Sequence, residues 1–131
     1  TSSPPPGGNE RILLVDDEET VRRVEKDMLI NLGYRVDSFS TPEEALNRFR
    51  QNPRRYDLAI TDMTMPKMTG DTLSRELLAI RPDLPIVLCT GFSEMINRES
   101  AMKIGIRQFV TKPLMMNSFA LILRDILDSP S

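Results

Sequence analysis

Ile12-Leu13-Leu14-Val15-Asp16-Asp17-Glu18-Glu19 is the stretch whose reading decides the fold. Four apolar residues in a row leave no polar face, so a strand built from them must be covered on both sides. A parallel sheet packed between two layers of helices meets that demand. The change at Asp16 to four acidic residues ends the strand and turns the chain into a helix. Rossmann and P-loop folds place a glycine-rich phosphate loop at this turn, and the acidic run therefore argues against nucleotide binding through backbone amides.

Outward from that strand the pattern repeats. Val21, Val24, Met28 and Leu32 recur at steps of three and four residues and are followed by Gly33, which reads as an amphipathic helix and its stop. Tyr34 to Phe39, Leu58-Ala59-Ile60, Ile86-Val87-Leu88-Cys89 and Phe109-Val110 supply four further strands. Thr41-Pro42-Glu43-Glu44 combines a capping hydroxyl, a proline at the first helical position and a glutamate three residues after the cap, so a second helix starts there with Leu46 and Phe49 inward. Leu73, Leu77 and Ile80 mark a third helix ended by Arg81-Pro82. Glu94 to Lys103 gives a weakly patterned fourth with Gly105 as its stop, and Phe119, Ile122, Leu123 and Ile126 mark the last. Five βα units with right-handed crossovers predict an open, doubly wound α/β sheet. Residues 1–9, Thr-Ser-Ser-Pro-Pro-Pro-Gly-Gly-Asn, read as a flexible linker or leader, and residues 10–129 as one domain.

Composition narrows the function. The 131 residues carry 17 Lys plus Arg against 19 Asp plus Glu, a net charge of −2, so no basic field favours direct nucleic-acid binding. With no histidine in the chain, His-based triads, His metal ligands and a phosphohistidine donor are all excluded. The single cysteine, Cys89, forms no internal disulfide and suits a reducing, cytoplasmic setting. No apolar run approaches the ~18 residues of a membrane span.

In an open α/β sheet, ligands gather beyond the carboxyl ends of the strands. The residues that close the apolar runs are Asp16 and Asp17 after the first strand, Asp62 after the third, Thr90 after the fourth and Lys112 after the fifth. Taken singly, each is a common turn or helix-entry residue. Together they collect three carboxylates, a hydroxyl and an ammonium at one edge. Crowded carboxylates repel unless a cation lies among them, and a hard divalent ion such as Mg²⁺ with oxygen ligands resolves the repulsion. Lys112 is then free to neutralise an anion beside the ion, and Thr90 offers that anion a hydroxyl. The set suits a phosphoryl group, with one carboxylate as nucleophile.

These residues stand in Ile12-Leu13-Leu14-Val15-Asp16-Asp17-Glu18, in Asp57 to Gly70 (Asp-Leu-Ala-Ile-Thr-Asp-Met-Thr-Met-Pro-Lys-Met-Thr-Gly), in Leu88-Cys89-Thr90-Gly91 and in Phe109-Val110-Thr111-Lys112-Pro113. The ensemble, spanning Glu10 to Asp128, resembles the response-regulator receiver domain of two-component signalling. The resemblance implies the flavodoxin-like strand order 2-1-3-4-5 and a domain that catalyses its own aspartyl phosphorylation without being a turnover enzyme. Asp62 resembles the phosphoacceptor. Asp16, Asp17 and Asp62, with the backbone carbonyl of Met63, resemble the Mg²⁺ ligands. Lys112 would meet the phosphoryl oxygens, and Lys112-Pro113 is the peptide that relatives usually hold cis. Thr90 and Phe109 occupy the switch positions, where Phe109 lacks the phenolic hydroxyl of a tyrosine. Thr64 and Phe92 stand where the lifetime of the acyl phosphate is tuned, and they imply slow hydrolysis.

The implied partners are a histidine kinase or histidine phosphotransfer domain, with a dimer through the face of the fourth helix, fifth strand and last helix also open. A leader in front and nothing behind the last helix fits the C-terminal receiver of a hybrid sensor kinase, and a stand-alone receiver stays open beside it. Two rivals remain at this point. A haloacid-dehalogenase-like phosphatase would use Asp16-Asp17-Glu18-Glu19-Thr20 as its first motif, but it leaves Asp62 idle and lacks a later acidic pair at a strand end. A degenerate receiver used only for docking would not need every acceptor-site residue intact.

Overall fold

The computed structural model describes residues 5–91, 103–112 and 114–129. Five strands and four helices lie among them: β1 (Arg11–Val15), α1 (Glu19–Asn31), β2 (Arg35–Phe39), α2 (Pro42–Gln51), β3 (Leu58–Asp62), α3 (Gly70–Ile80), β4 (Ile86–Thr90), β5 (Gln108–Thr111) and α4 (Met116–Asp128). The strands pair in parallel in the order β2-β1-β3-β4-β5. Of the expected fourth helix, residues 94–102 lie outside the described residues, as do Phe92 and Pro113. The described part ends at Gly105 with φ 109°, a left-handed stop where the sequence placed one.

The uninterrupted apolar strands are explained by two cores, one on each face of the sheet. Leu13, Val15, Ala59, Ile86 and Leu88 point to one side and pack with Leu46 and Phe49 of α2 and Leu73 and Leu77 of α3. Their neighbours Ile12, Leu14, Leu58, Ile60, Val87 and Cys89 point to the other, against Leu29 of α1 and Phe119, Leu123 and Ile126 of α4. Successive side chains of a strand alternate between faces, so a strand covered twice must be apolar at every position. Removing a large buried side chain from either layer, as in Phe49→Ala, is a change of about 3–5 kcal/mol in such cores.

The helix ends follow local chemistry. Thr41 caps α2, its hydroxyl accepting from the Glu44 N–H at 3.2 Å, with Pro42 as the first helical residue. Gly33 takes φ 102° after α1, where a side chain would be strained. Two helix stripes differ from the sequence reading. On α1, Val24 is 55% exposed and the buried positions are Glu25 and Leu29. On α3, Ile80 is exposed, and buried Ser74 takes the inward position by donating its hydroxyl to the Gly70 carbonyl at 2.7 Å. In each case the apolar residue lies off the stripe that packs.

At the edge opposite the strand ends, the residues before β1 are held by α4 and by Leu32 at the end of α1. The Gly8 N–H donates to the Leu32 carbonyl at 3.0 Å, and Arg124 of α4 reaches back to Glu10 at 2.8 Å.

Candidate phosphoacceptor site

Parallel strands all end on the same side, which brings the closing residues of β1, β3, β4 and β5 together. Asp16 follows β1 and is 1% exposed. Its Oδ1 accepts from the Glu18 N–H at 3.0 Å and its Oδ2 from Lys112 Nζ at 3.2 Å. The carbonyl of Asp16 accepts from Arg22 at 2.9 Å, and its N–H donates to the Phe39 carbonyl at 3.2 Å. Side chain and backbone are both fixed before any ligand arrives. Asp62 is the buried last residue of β3, with Oδ1 2.7 Å from Lys112 Nζ. Asp17 is exposed at the rim. Asp16, Asp17 and Asp62 each offer a carboxylate oxygen within 4.8 Å of the others, the one such acidic group among the described residues.

Lys112 owes its place to backbone pairing, because its N–H donates to the Thr90 carbonyl at 2.7 Å just beyond β5. Burial alone would lower its pKa. The hydrogen bond and charge of Asp62, together with Asp16, outweigh burial and hold the ammonium protonated far above the physiological range. Thr90 is buried at the end of β4. Leu88 pairs with Phe109 and Thr90 with Thr111, so Thr90 and Phe109 are diagonal neighbours on one face of the sheet. Phe109 is partly buried against the core that α2 and α3 cover. Met63 is tied down at both backbone groups: its N–H donates to the Cys89 carbonyl at 2.9 Å and its carbonyl accepts from the Gly70 N–H at 2.8 Å. A carbonyl has a second lone pair, which leaves that oxygen an acceptor site. Thr64 is exposed at the rim.

Two contributors were not assigned from the sequence. At Gly70, a Cβ would stand 2.2 Å from the Asp62 carbonyl oxygen, so only glycine lets α3 begin directly against the end of β3. The other is Glu25, whose carboxyl is buried on the α1 side of the site. Burial first, then the charge and hydrogen bond of Asp16, push it up to about 8 against the opposing pull of Lys112. A glutamate in the middle of an apolar helix stripe was the available signal, and the neighbouring Val24 hid it. Cys89 is fully buried, and burial pushes its thiol well up, so it is an inert core residue.

The family model described as the response regulator receiver domain matches residues 12–124. The chain belongs to that family. The probable transcriptional regulator ycf27 of Porphyra purpurea is 35% identical over 110 residues, covering 84% of this chain and 44% of that protein. The transcriptional regulatory protein RprY of Bacteroides fragilis is 31% identical over 84% of this chain and 46% of that one. The receiver thus spans a little under half the length of these curated relatives. Among solved structures, a response regulator receiver domain protein from Clostridium thermocellum matches with a TM-score of 0.86 and 31% identity, over 91% of this chain and 94% of that one. The non-phosphorylated HemR receiver domain from Leptospira biflexa matches with a TM-score of 0.83 and 28% identity, over 94% and 98%. Receivers serve as phosphoacceptors in two-component signalling, interact with histidine kinases and generally bind Mg²⁺ in an acidic pocket. Membership displaces the phosphatase reading of Asp16 to Thr20. No helix among the described residues is long and apolar enough to cross a membrane.

Proposed function

We propose that this receiver takes a phosphoryl group onto Asp62 from a phosphohistidine partner, a histidine kinase or histidine phosphotransfer domain. The observation that carries the reading is Lys112 Nζ, 2.7 Å from Asp62 and 3.2 Å from Asp16, beside three converging carboxylates. An Asp62 oxygen attacks phosphorus in line; the new O–P bond forms as the N–P bond to imidazole breaks, and the imidazole nitrogen leaves with the electron pair. Lys112 faces the charge that develops on the transferring oxygens. Such a site is fitted for acceptance, which weighs against a docking-only role.

Asp16, Asp17, Asp62 and the Met63 carbonyl are the candidate ligands of Mg²⁺. Ligands about 2.1 Å from Mg²⁺ in an octahedron lie roughly 3 to 4.2 Å apart, a spacing that oxygens within 4.8 Å reach by small side-chain movements. Bound there, Mg²⁺ would supply neutralising charge to the phosphoryl oxygens. Incubation with acetyl phosphate and Mg²⁺ should raise the intact mass by one phosphoryl group, and no gain in mass would end the proposal. Asp17→Ala should weaken Mg²⁺ binding by roughly 10-fold or more and slow labelling with it. A titration showing unchanged affinity would move the metal away from Asp17.

The signal would leave through Thr90 and Phe109. A phosphoryl oxygen on Asp62 draws the Thr90 hydroxyl toward it, and the Phe109 ring, diagonal to Thr90, turns into the space released. Without a tyrosine hydroxyl the inward ring loses one hydrogen bond of about 0.5–1.5 kcal/mol, so the two states separate less sharply than in a tyrosine-bearing receiver. Adding beryllofluoride should therefore shift NMR resonances of the output face, Glu94 to Lys103 with β5 and α4, more than those of α2 and α3. Equal shifts on both faces would remove the output assignment. The output face is also where a second copy would pair. Thr64, exposed at the rim, would set the phosphoryl lifetime together with Phe92, with slow hydrolysis expected. The buried free thiol of Cys89 and the phosphohistidine donor favour a cytoplasmic setting, and the net charge of −2 gives this domain no direct hold on nucleic acid.

A further inference from the structure

Gly7 and Gly8 cross the C-terminal end of α1 at a separation that leaves no room for a side chain. A Cβ on Gly7 would stand 2.0 Å from the Leu32 carbonyl oxygen, and one on Gly33 would stand 2.4 Å from the Gly8 carbonyl oxygen. Both neighbours are backbone atoms, which cannot swing aside. Between them the Gly8 N–H donates to the Leu32 carbonyl at 3.0 Å. Two residues on, Glu10 Oε1 accepts from Arg124 Nη1 at 2.8 Å, while Arg124 Nη2 pairs with Asp128 of its own helix. The Arg124 and Glu10 side chains are 22% and 23% exposed, so this ion pair is partly shielded from screening by solvent. Residues 7–10 thus form a strap, fastened once to the end of α1 and once to α4.

The other end of α4 adjoins the phosphoacceptor site. Lys112 stands just ahead of Met116, the first residue of the helix, and its Nζ lies 2.7 Å from Asp62. From Met116 to Arg124 the helix rises about 12 Å. Phe119, Ala120 and Leu123 are buried along that stretch in the core on the α1 side of the sheet, so it shifts as a packed unit. Phosphorylation of Asp62 moves negative charge onto oxygens farther from β3, and the Lys112 ammonium must follow them.

We propose that residues 7–10 are a strap that senses the phosphoryl state of Asp62 through α4. It is docked while Lys112 pairs with the bare carboxylate, and it is released when a phosphoryl group re-aims Lys112 and shifts the helix that carries Arg124. The inference rests on the phosphoacceptor reading given above, and it gives the signal a second outlet, apart from Thr90 and Phe109, at the edge opposite the acceptor. Coupling of this kind is reciprocal: by whatever factor the phosphoryl group loosens the strap, loosening the strap favours the phosphorylated form.

Beryllofluoride with Mg²⁺, added to the whole chain, tests this by amide hydrogen exchange and NMR shifts. In the unaltered chain the Gly8 amide should exchange about 5-fold faster once beryllofluoride is bound, a factor at the lower end of ordinary coupling between sites. Two variants open the strap by different means. Glu10→Gln removes the charge that Arg124 meets, and Gly7→Ala drives a Cβ against the Leu32 carbonyl with no change of charge. Each should be half-saturated at about one fifth of the beryllofluoride concentration that the unaltered chain needs. A strap that only adds stability would lower the melting temperature of both variants and leave that concentration unchanged. The proposal is overturned by that result, or by a Gly8 amide whose exchange stays the same while Thr90 and Lys112 shift. If Thr90 and Lys112 do not shift either, the phosphoacceptor reading has failed and the strap has nothing to sense.

Discussion

Asp62→Asn is expected to abolish phosphoryl incorporation from acetyl phosphate while leaving the fold intact. The substitution changes one oxygen to an amide nitrogen at the buried end of β3, where there is space for the isosteric group and where Lys112 can still approach the remaining carbonyl oxygen. What disappears is the anionic nucleophile, and removal of a nucleophile commonly lowers turnover by factors on the order of 10⁶. Asp16 is no substitute. Its two oxygens are engaged by the Glu18 N–H and by Lys112, and it lies 1% exposed with its backbone bonded on both sides. Asp17 is exposed but has no cation of its own among the described contacts. Intact-mass measurement of Asp62→Asn should therefore show the unmodified chain alone. A full phosphoryl gain in this variant would transfer the acceptor role to Asp16 or Asp17 and with it reverse the assignment of ligand and nucleophile.

Asp62 could be placed at a strand end from the sequence because the sheet needs no periodicity to be recognised, while its acceptor role came from the resemblance. A run such as Ile12 to Val15 or Ile86 to Cys89 announces a strand covered on both faces, and the residue that breaks the run is by construction at the strand end. Parallel pairing then carries Asp16, Asp62, Thr90 and Lys112 to one edge without any further information. The helices were less legible for a geometric reason. Adjacent helical residues are separated by 100° around the axis, so a shift of the inward stripe by one residue, from Val24 to Glu25, turns it by more than a quarter turn, and hydrophobicity alone resolves that choice in the wrong direction. The one charge that favours a carboxylate there is that of Lys112, which lines the same cavity. The same holds for Ile80 and Ser74 on α3, where a serine can be buried because its hydroxyl returns to the Gly70 carbonyl. Gly70 could be quoted as part of a motif but not explained, since its requirement comes from the Asp62 carbonyl and therefore from the packed β3–α3 corner.

Lys112→Met should separate metal binding from phosphoryl transfer. Methionine retains an unbranched apolar stem of similar reach, so the cavity wall shared with Met28 and Leu114 is kept. Only the ammonium is lost. In the unaltered chain that ammonium lies 2.7 Å from Asp62 and 3.2 Å from Asp16, and it is the cation that lets these buried carboxylates remain side by side. Its removal leaves the acidic cluster uncompensated, and the variant should melt below the unaltered chain when Mg²⁺ is withheld. Mg²⁺ then becomes the remaining source of positive charge. Its affinity should hold or rise, and the gain in melting temperature on adding Mg²⁺ should be larger than in the unaltered chain, since a ligand that binds only the folded state stabilises it by RT ln(1 + [L]/Kd). Labelling should go the other way. Loss of one preorganised donor to a charge developing in the transition state costs about 10²–10³ in rate, and no neighbouring side chain among the described residues replaces Nζ at that position. Acetyl phosphate labelling measured at saturating Mg²⁺ removes binding from the comparison. If Lys112→Met is then labelled as fast as the unaltered chain, Lys112 serves only to keep the empty carboxylates together, and charge stabilisation of the transferring phosphoryl group must be sought elsewhere in the site.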